Sequence, residues 1–258
     1  MSLKRLHTIT LLTALAASTV LASTDAARSA ELKVIAPNAV KEAVAAIGAR
    51  HSKEKNTEIA FTWAGSEAIA KRVGEGEAYD VVLTTSAGID KLAGDGKLDP
   101  KSKADFSRSA VAAAVRAGLP RPDISTVDGL KKSLLDAKSI AISSGASGRY
   151  LEGLFKKLGV AEQVQAKIKQ PPSGAQIGDM LASGEADLGF QQVTELIHAK
   201  GFDYLGTLPA ELQNYTVWSA AVHARAADAK AAGAFVAALA APGSAQELSK
   251  TGLEPVAK

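Results

Sequence analysis

The segments LKVIAPNAVKEAVAAI, residues 32–47, and SIAISSGASGRYLEGLFKKLGV, residues 139–160, decide the fold. Each starts with a short apolar run, crosses a turn of small or polar residues, and changes its hydrophobic period from strand to helix. In the first, Val40, Ala43, Val44 and Ile47 fall at i, i+3, i+4 and i+7; in the second, Leu151, Leu154, Phe155 and Leu158 do the same. That spacing lines one face of a helix. A buried strand handed straight to an amphipathic helix is the unit of a parallel sheet covered by helices.

The same unit recurs on either side. Ile59–Trp63 reads as a strand, followed by a helix that opens at Gly65-Ser66, carries Ile69 and Val73, and stops at Gly74-Glu75-Gly76. Val81–Thr84 is a strand before a short helix at Ile89–Ala93. The run SRSAVAAAVRA, 107–117, suits helix or strand by composition and is read as a crossover. A helix at Val127–Leu135 opens a second unit. In that unit a strand at Lys167–Lys169 leads through Pro171-Pro172-Ser173-Gly174 to a helix bearing Ile177, Met180 and Leu181, and Leu188–Gln191 is again a strand. Tyr215–Val222 and an alanine-rich helix, Asp228–Ala240, close the chain. The expectation is an α/β protein with parallel-rich sheets flanked by helices, in two lobes around a ligand cleft. Residues 31–117 form the first part of lobe 1, 118–210 form lobe 2, and 211–258 return to lobe 1 with the C-terminal helices.

Residues 1–30 are a different kind of segment. Lys4 and Arg5 precede an apolar run from Ile9 to Leu21 and then small residues, the build of a secretory signal peptide. The run is shorter than the roughly 20 apolar residues a spanning helix needs. The whole chain has 30 basic and 27 acidic residues; the first thirty hold Lys4, Arg5 and Arg28 against Asp25, which leaves about +1 for the rest. No basic stripe argues for nucleic acid. With no cysteine, disulfides, thiolate chemistry and lipid attachment through cysteine are excluded. A monomeric protein exported to the periplasm, without stable membrane insertion, is the reading.

The chemistry falls at four strand-to-helix junctions: Pro37-Asn38-Ala39, Ala64-Gly65-Ser66, Ala146-Ser147-Gly148 and Ser173-Gly174-Ala175. Ligands of open α/β sheets sit beyond the carboxyl ends of the strands, where helix starts offer free N–H groups to an anion. Taken singly each junction is also an ordinary helix cap. Arg149 stands in the first turn of its helix, where the dipole disfavours a cation by about 0.3–1 kcal/mol. A bound carboxylate reverses that penalty; pairing with Glu152 is the plainer account. Gln191 and Gln192 end a strand, and alternation sends at most one of them into the cleft.

Signals for catalysis are weak. Beyond residue 30 the histidines are His51, His198 and His223, none paired at helical metal-site spacing. Neither a nucleophile elbow nor a phosphate-binding glycine loop occurs. Asp80, Asp90, Asp187 and Glu195 read as helix-start or solvated charges. The expectation is a protein that captures a small anion and catalyses nothing; a secreted hydrolase and a regulator's ligand-sensing domain are the competing classes.

The pieces VIAPNAVKEAV, FTWAGSEAIAKRV, YDVVLTTS, GASGRYLEGLFKKLGV and SGEADLGFQQVTEL, in this order and spacing, resemble the periplasmic molybdate-binding protein family. The resemblance implies the type II periplasmic binding fold, closure of two lobes on the ligand, an ABC importer's permease as partner, and no cofactor. It carries oxyanion contacts onto Ser66, Ser147 and Ala175. Two positions depart: Ala39, beside Asn38, stands where the family has serine, and Gln192 where it has tyrosine. Lost hydroxyl donors weigh heavily in a site built on hydrogen bonds, whereas the Arg149 fork suits a carboxylate. The favoured ligand is therefore a small organic di- or tricarboxylate, with molybdate or tungstate as the alternative. The expected ligand-binding set is Asn38, Ala39, Gly65, Ser66, Ser147, Gly148, Arg149, Gly174, Ala175 and Gln192.

Overall fold

The computed structural model describes residues 31–256, so the expected signal peptide lies outside the described residues. Strand β1, Glu31–Pro37, pairs in parallel with β2, Glu58–Ala64, and β3, Val81–Thr85. Between them run α1, Lys41–Lys55, entered through a 3-10 turn at Asn38–Val40, and α2, Ser66–Gly74; α3, Ser86–Gly94, follows β3. Alternation along β1 sends Val34 into one core with Ala43, Val44, Ile47 and Phe235, and Ile35 into another with Ile69, Val73, Ile89 and Leu92. Both faces of this sheet are thus covered, which is why its strands read as continuous apolar runs.

The run read as a crossover is one long strand, β4, Ala104–Arg116. Its residues 104–110 pair antiparallel with β9, Tyr215–Val222, while 111–116 pair with strands of the second lobe. The chain therefore changes lobe between Ala110 and Val111, inside a strand. A turn of helix would have broken the ladder; the β-paired alanines bury their backbone in both sheets. The second lobe is built from α4, Val127–Asp136; β5, Ile140–Ile142; α5, Ala146–Lys157; α6, Ala161–Gln165; β6, Ile168–Lys169; α7, Ile177–Ala182; β7, Leu188–Gln192; α8, Val193–Leu196; and β8, Phe202–Thr207. Strand β5 is parallel to β6 and β7, whereas β7 and β8 run antiparallel to β4. After β9 come α9, Ala229–Leu239, α10, Ala245–Lys250, and a short β10, Glu254–Pro255, on β4.

The α/β architecture with helices on both faces is as the sequence implies. The antiparallel entries of β4, β8 and β9 are not visible in simple strand–helix alternation. On α5, Leu151, Leu154 and Phe155 are buried against Ile140, Ile142 and Phe190; each contributes about 1.5–3 kcal/mol by leaving water. That burial fixes the N-terminus of α5 at the end of β5, and so positions one wall of the cleft. Among the described residues no helix is long and apolar enough to cross a membrane.

Candidate functional site

The strand ends of both lobes meet at one cavity. Asn38 and Ala39 follow β1, Gly65 and Ser66 follow β2, Ser143 and Ser147 flank the turn after β5, and Gly174 and Ala175 precede α7; all border it. Gln191, Gln192 and Trp218 complete it, together with Glu195. Of the residues singled out in the sequence, Asn38, Ala39, Gly65, Ser66, Ser147, Gly174, Ala175 and Gln192 lie on this cavity, and Gly148 and Arg149 do not. A second cavity adjoins it and shares Asn38, Ala39, Gly174 and Glu195. The inner space offers about 40 Å³ to water centres and the outer about 410 Å³. About 10–15 Å³ is the least that admits one water, so the smaller space suits a group no larger than a carboxylate or oxyanion, and a larger acid must extend into the other.

Capping divides the longer helices by location. Among those of nine residues or more, α1, α2 and α5 begin at the cleft and have no side-chain cap. Helices α3, α4 and α9 begin elsewhere and are capped by Thr85, Thr126 and Asp228. Uncapped first-turn N–H groups need another acceptor, and at a helix start the field favours an anion. Ser66 and Ser147 are both nearly buried there, and Ser147 Oγ lies 3.0 Å from Ser143 Oγ. Trp218, only 2% exposed, borders the cavity, and its indole N–H has no partner among the described residues. Such a buried donor costs about 1–3 kcal/mol while unpaired.

The two lobes touch across the cleft. Asn38 Nδ2 donates to Gly174 O at 2.9 Å. A Cβ added at Gly65 would fall 2.2 Å from Ser173 Oγ and 2.6 Å from Gly174 N, so glycine is what lets the lobes come this close. Gly148 has a packing role: a Cβ there would sit 1.6 Å from Ser143 O, against the end of β5. Arg149 pairs with Glu67, in the first turn of α2, rather than with Glu152. Both partners are substantially exposed, and the pair bridges the lobes at the cleft mouth.

The glutamines are both buried, and their side chains serve the scaffold. Gln191 Oε1 accepts from Ile177 N at 2.9 Å, holding the start of α7. Gln192 is satisfied when its oxygen accepts from Thr216 Oγ1 at 2.9 Å and its nitrogen donates to Ser109 Oγ at 2.9 Å and Ala110 O at 3.2 Å. Its amide is therefore spent on β4 and β9 where the chain changes lobe.

The sequence reading missed Glu195. As expected it stands in the first turn of a helix, but it is not a solvated charge. It borders both cavities. Burial pushes its carboxyl up to about 7, against the opposing pull of hydrogen bonds from the Gln176 side chain, the Gln192 backbone N–H and the Gln191 side chain. The Gln176 bond is long, 3.5 Å, and no salt bridge to Glu195 occurs among the described residues. The available signal was position: Glu195 lies three residues past the carboxyl end of β7, the edge at which the four junctions lie. The other three carboxylates behave differently. Asp80 is buried and accepts from Lys33 N at 2.8 Å and Ala227 N at 2.7 Å, while Asp90 pairs with Lys103 and Asp187 with Arg116. His51 and His223 are buried away from the cavity, and burial lowers both rings' affinity for a proton.

Comparison with known proteins adds three kinds of finding. A family model for bacterial extracellular solute-binding proteins matches residues 32–254. An aconitate isomerase from a Pseudomonas species is 38% identical over 191 residues, 74% of this chain and 72% of that protein. Among solved structures, the periplasmic molybdate-binding protein of Azotobacter vinelandii superposes with a TM-score of 0.72 at 22% identity, covering 88% of this chain and 99% of that one. The sulfate-binding protein SubI of Mycobacterium tuberculosis gives 0.70 at 20% identity, over 88% and 87%. These structures share the two-lobed fold. The isomerase corrects one expectation: a relative this similar is named as an enzyme, so the reading that the chain catalyses nothing does not stand.

Proposed function

The chain belongs to the bacterial extracellular solute-binding protein family, and from that premise we propose that it closes its lobes on a small organic polycarboxylate and isomerises it, with aconitate as substrate. The observation that carries this reading is the 38% identity to an aconitate isomerase over 74% of the chain, joined to a cleft whose helix starts are left uncapped.

Aconitate has three carboxylates on a three-carbon unit that contains one double bond. Interconverting its isomers requires the double bond to lose its rigidity, which happens when a proton leaves the neighbouring methylene and the electron pair spreads over the three carbons. The charge then accumulates toward the carboxylates. Helix starts aimed at those carboxylates stabilise it without having to reorganise. The inner cavity suits one carboxylate, and the adjoining outer cavity, which Lys41 also borders, has room for the rest. Ser66 and Ser147 supply hydroxyl donors, Trp218 an indole N–H, and Asn38, Ala39, Gly65, Gly174 and Ala175 the close backbone walls. Gly148 supports the site through close packing on Ser143, and Gln192 through its hydrogen bonds to β4 and β9. Arg149 fastens the cleft mouth through Glu67.

The test is to incubate purified protein with cis-aconitate and follow the trans isomer by proton NMR. Appearance of the trans isomer at an enzymatic rate is expected; an unchanged spectrum at stoichiometric protein rejects the reading. The family match and the molybdate-binding fold favour a second reading, capture of an anion for an ABC permease in the periplasm, with molybdate or tungstate as the ligand. Calorimetry separates the two: tight molybdate binding with no response to aconitate selects the second.

A further inference from the structure

We propose that Glu195 is the catalytic acid–base group of this cleft, taking a proton from one carbon of the bound acid and returning it to another; this rests on the isomerase reading above. Among the described residues bordering the inner cavity, Glu195 is the one ionisable side chain. The rest are glycine, alanine, proline, serine, asparagine, glutamine and tryptophan, none able to exchange a proton with carbon near neutral pH. Within that cavity the wall offers one candidate base; the adjoining cavity adds Lys41, Glu42 and His198.

Its position fits the task. Glu195 borders both cavities. A carboxylate anchored at the helix starts and a chain extending outward would pass this point. The charged and titratable groups near it are few. Lys41, Glu42 and His198 border the outer cavity only. His198 is exposed, and its Nε2 lies 3.1 Å from Lys250 O. On the lobe-1 side Asn38 and Ala39 are neutral, and on the α7 side Gln176 is neutral. With its carboxyl pushed up to about 7 by burial, Glu195 populates both proton states at neutral pH, the condition for serving a reversible proton transfer in either direction.

The step balances within the site. The Glu195 carboxylate forms an O–H bond as the methylene C–H bond breaks, and the electron pair enters the adjacent double bond to give a three-carbon anion. In that anion the former methylene carbon is joined to the central carbon by a partial double bond, and the conformation held there decides which isomer forms. The carboxylic acid then returns its proton to the other terminal carbon, a new double bond forms, and the carboxylate is restored. Nothing is oxidised or reduced.

A structural account also exists, because a Glu at the third helical position bonding back to the N-cap N–H is half of a capping box. Glutamine preserves that cap, so Glu195→Gln separates the roles. The experiment follows cis-aconitate turnover by NMR, deuterium uptake from D2O into the substrate, and tricarboxylate binding by calorimetry. In E195Q, binding should remain within about threefold, while turnover and deuterium uptake fall 10²–10⁴-fold, the usual contribution of a positioned acid–base group. E195D, which keeps a proton carrier on a shorter arm, should recover at least tenfold over E195Q, with its pH profile displaced from that of the unmodified protein. An active unmodified protein whose E195Q variant keeps turnover within tenfold overturns the assignment and leaves the isomerase reading intact. An unmodified protein that binds tricarboxylate and never isomerises it overturns both.

Discussion

Because burial raises the Glu195 carboxyl, replacing it with glutamine should change how stability depends on pH, whether or not any ligand is present. Its carboxyl rises from an ordinary 4.5 to about 7 on folding. A carboxyl raised in the native state binds more protons folded than unfolded, so the stability it allows is present at low pH and is lost as pH climbs through the folded value. A shift of this size corresponds to about 3 kcal/mol in all, of which about 2–3 kcal/mol falls between pH 5 and 8. Glutamine keeps the volume and the helix cap and cannot ionise. Urea unfolding of both proteins across that range should therefore show E195Q gaining on the unmodified protein by about 2–3 kcal/mol as pH rises. His51 and His223, whose proton affinity burial lowers, add stability above the unfolded histidine value that is lost as pH falls. Both proteins share them, and they cancel in the difference. Curves that stay parallel within about 1 kcal/mol from pH 5 to 8 would refute the claim that burial governs this carboxyl.

Gly65→Ala should weaken tricarboxylate binding at least tenfold in calorimetry, because the added methyl meets Ser173 Oγ and Gly174 N of the other lobe and holds the cleft apart. The Gly65 backbone is extended, at φ −76° and ψ 152°, so alanine adds no backbone strain of its own and binding within about threefold of the unmodified protein would refute the argument. A double-mutant cycle on Glu67→Ala and Arg149→Ala should give a coupling below about 1 kcal/mol in affinity, as befits an exposed pair; a much larger coupling would mean that Arg149 meets the ligand itself. Asp80→Ala leaves the Lys33 and Ala227 N–H groups without their acceptor and should cost about 2–4 kcal/mol in urea unfolding, with affinity for tricarboxylate unaltered.

What the sequence reveals and what it hides follow one physical division. Val40, Ala43, Val44 and Ile47, or Leu151, Leu154, Phe155 and Leu158, announce helices because burial on one face imposes their spacing. The turns between strand and helix are legible because close backbone approach admits only small residues there. Features that depend on the partner surface are not written locally. Strand β8 carries no local signal, because its partly exposed residues, Phe202 to Thr207, lack a buried apolar run. The stretch 107–117 is too rich in alanine to choose between periods, and only pairing with both β9 and β7 makes it a strand. Local spacing offers Arg149 its helical neighbour Glu152, whereas its partner Glu67 is 82 positions away. Gln192 read as a ligand contact because its commitments to Ser109 and Thr216 come from β4 and β9.

Glu195 is the sharpest case, because the same division bears on function. A first-turn glutamate is ordinary in sequence; it becomes unusual only when α7 with Gln176 on one side and Asn38 with Ala39 on the other close over it. In a cleft whose sole task is to hold anions, a carboxylate at this point is a defect. Once ionised it repels the guest that the helix starts attract. Binding an anion beside it must also draw a proton onto it, which makes affinity fall as pH rises. A purely capturing site gains nothing from either effect. A site that must lift a proton from carbon and set it down again needs a group of this kind, half ionised at neutral pH and desolvated beside the substrate. The carboxyl that burdens Glu195's cleft as a trap is what equips it as a catalyst, and calorimetry in buffers of different ionisation enthalpy would register the proton taken up with each tricarboxylate bound.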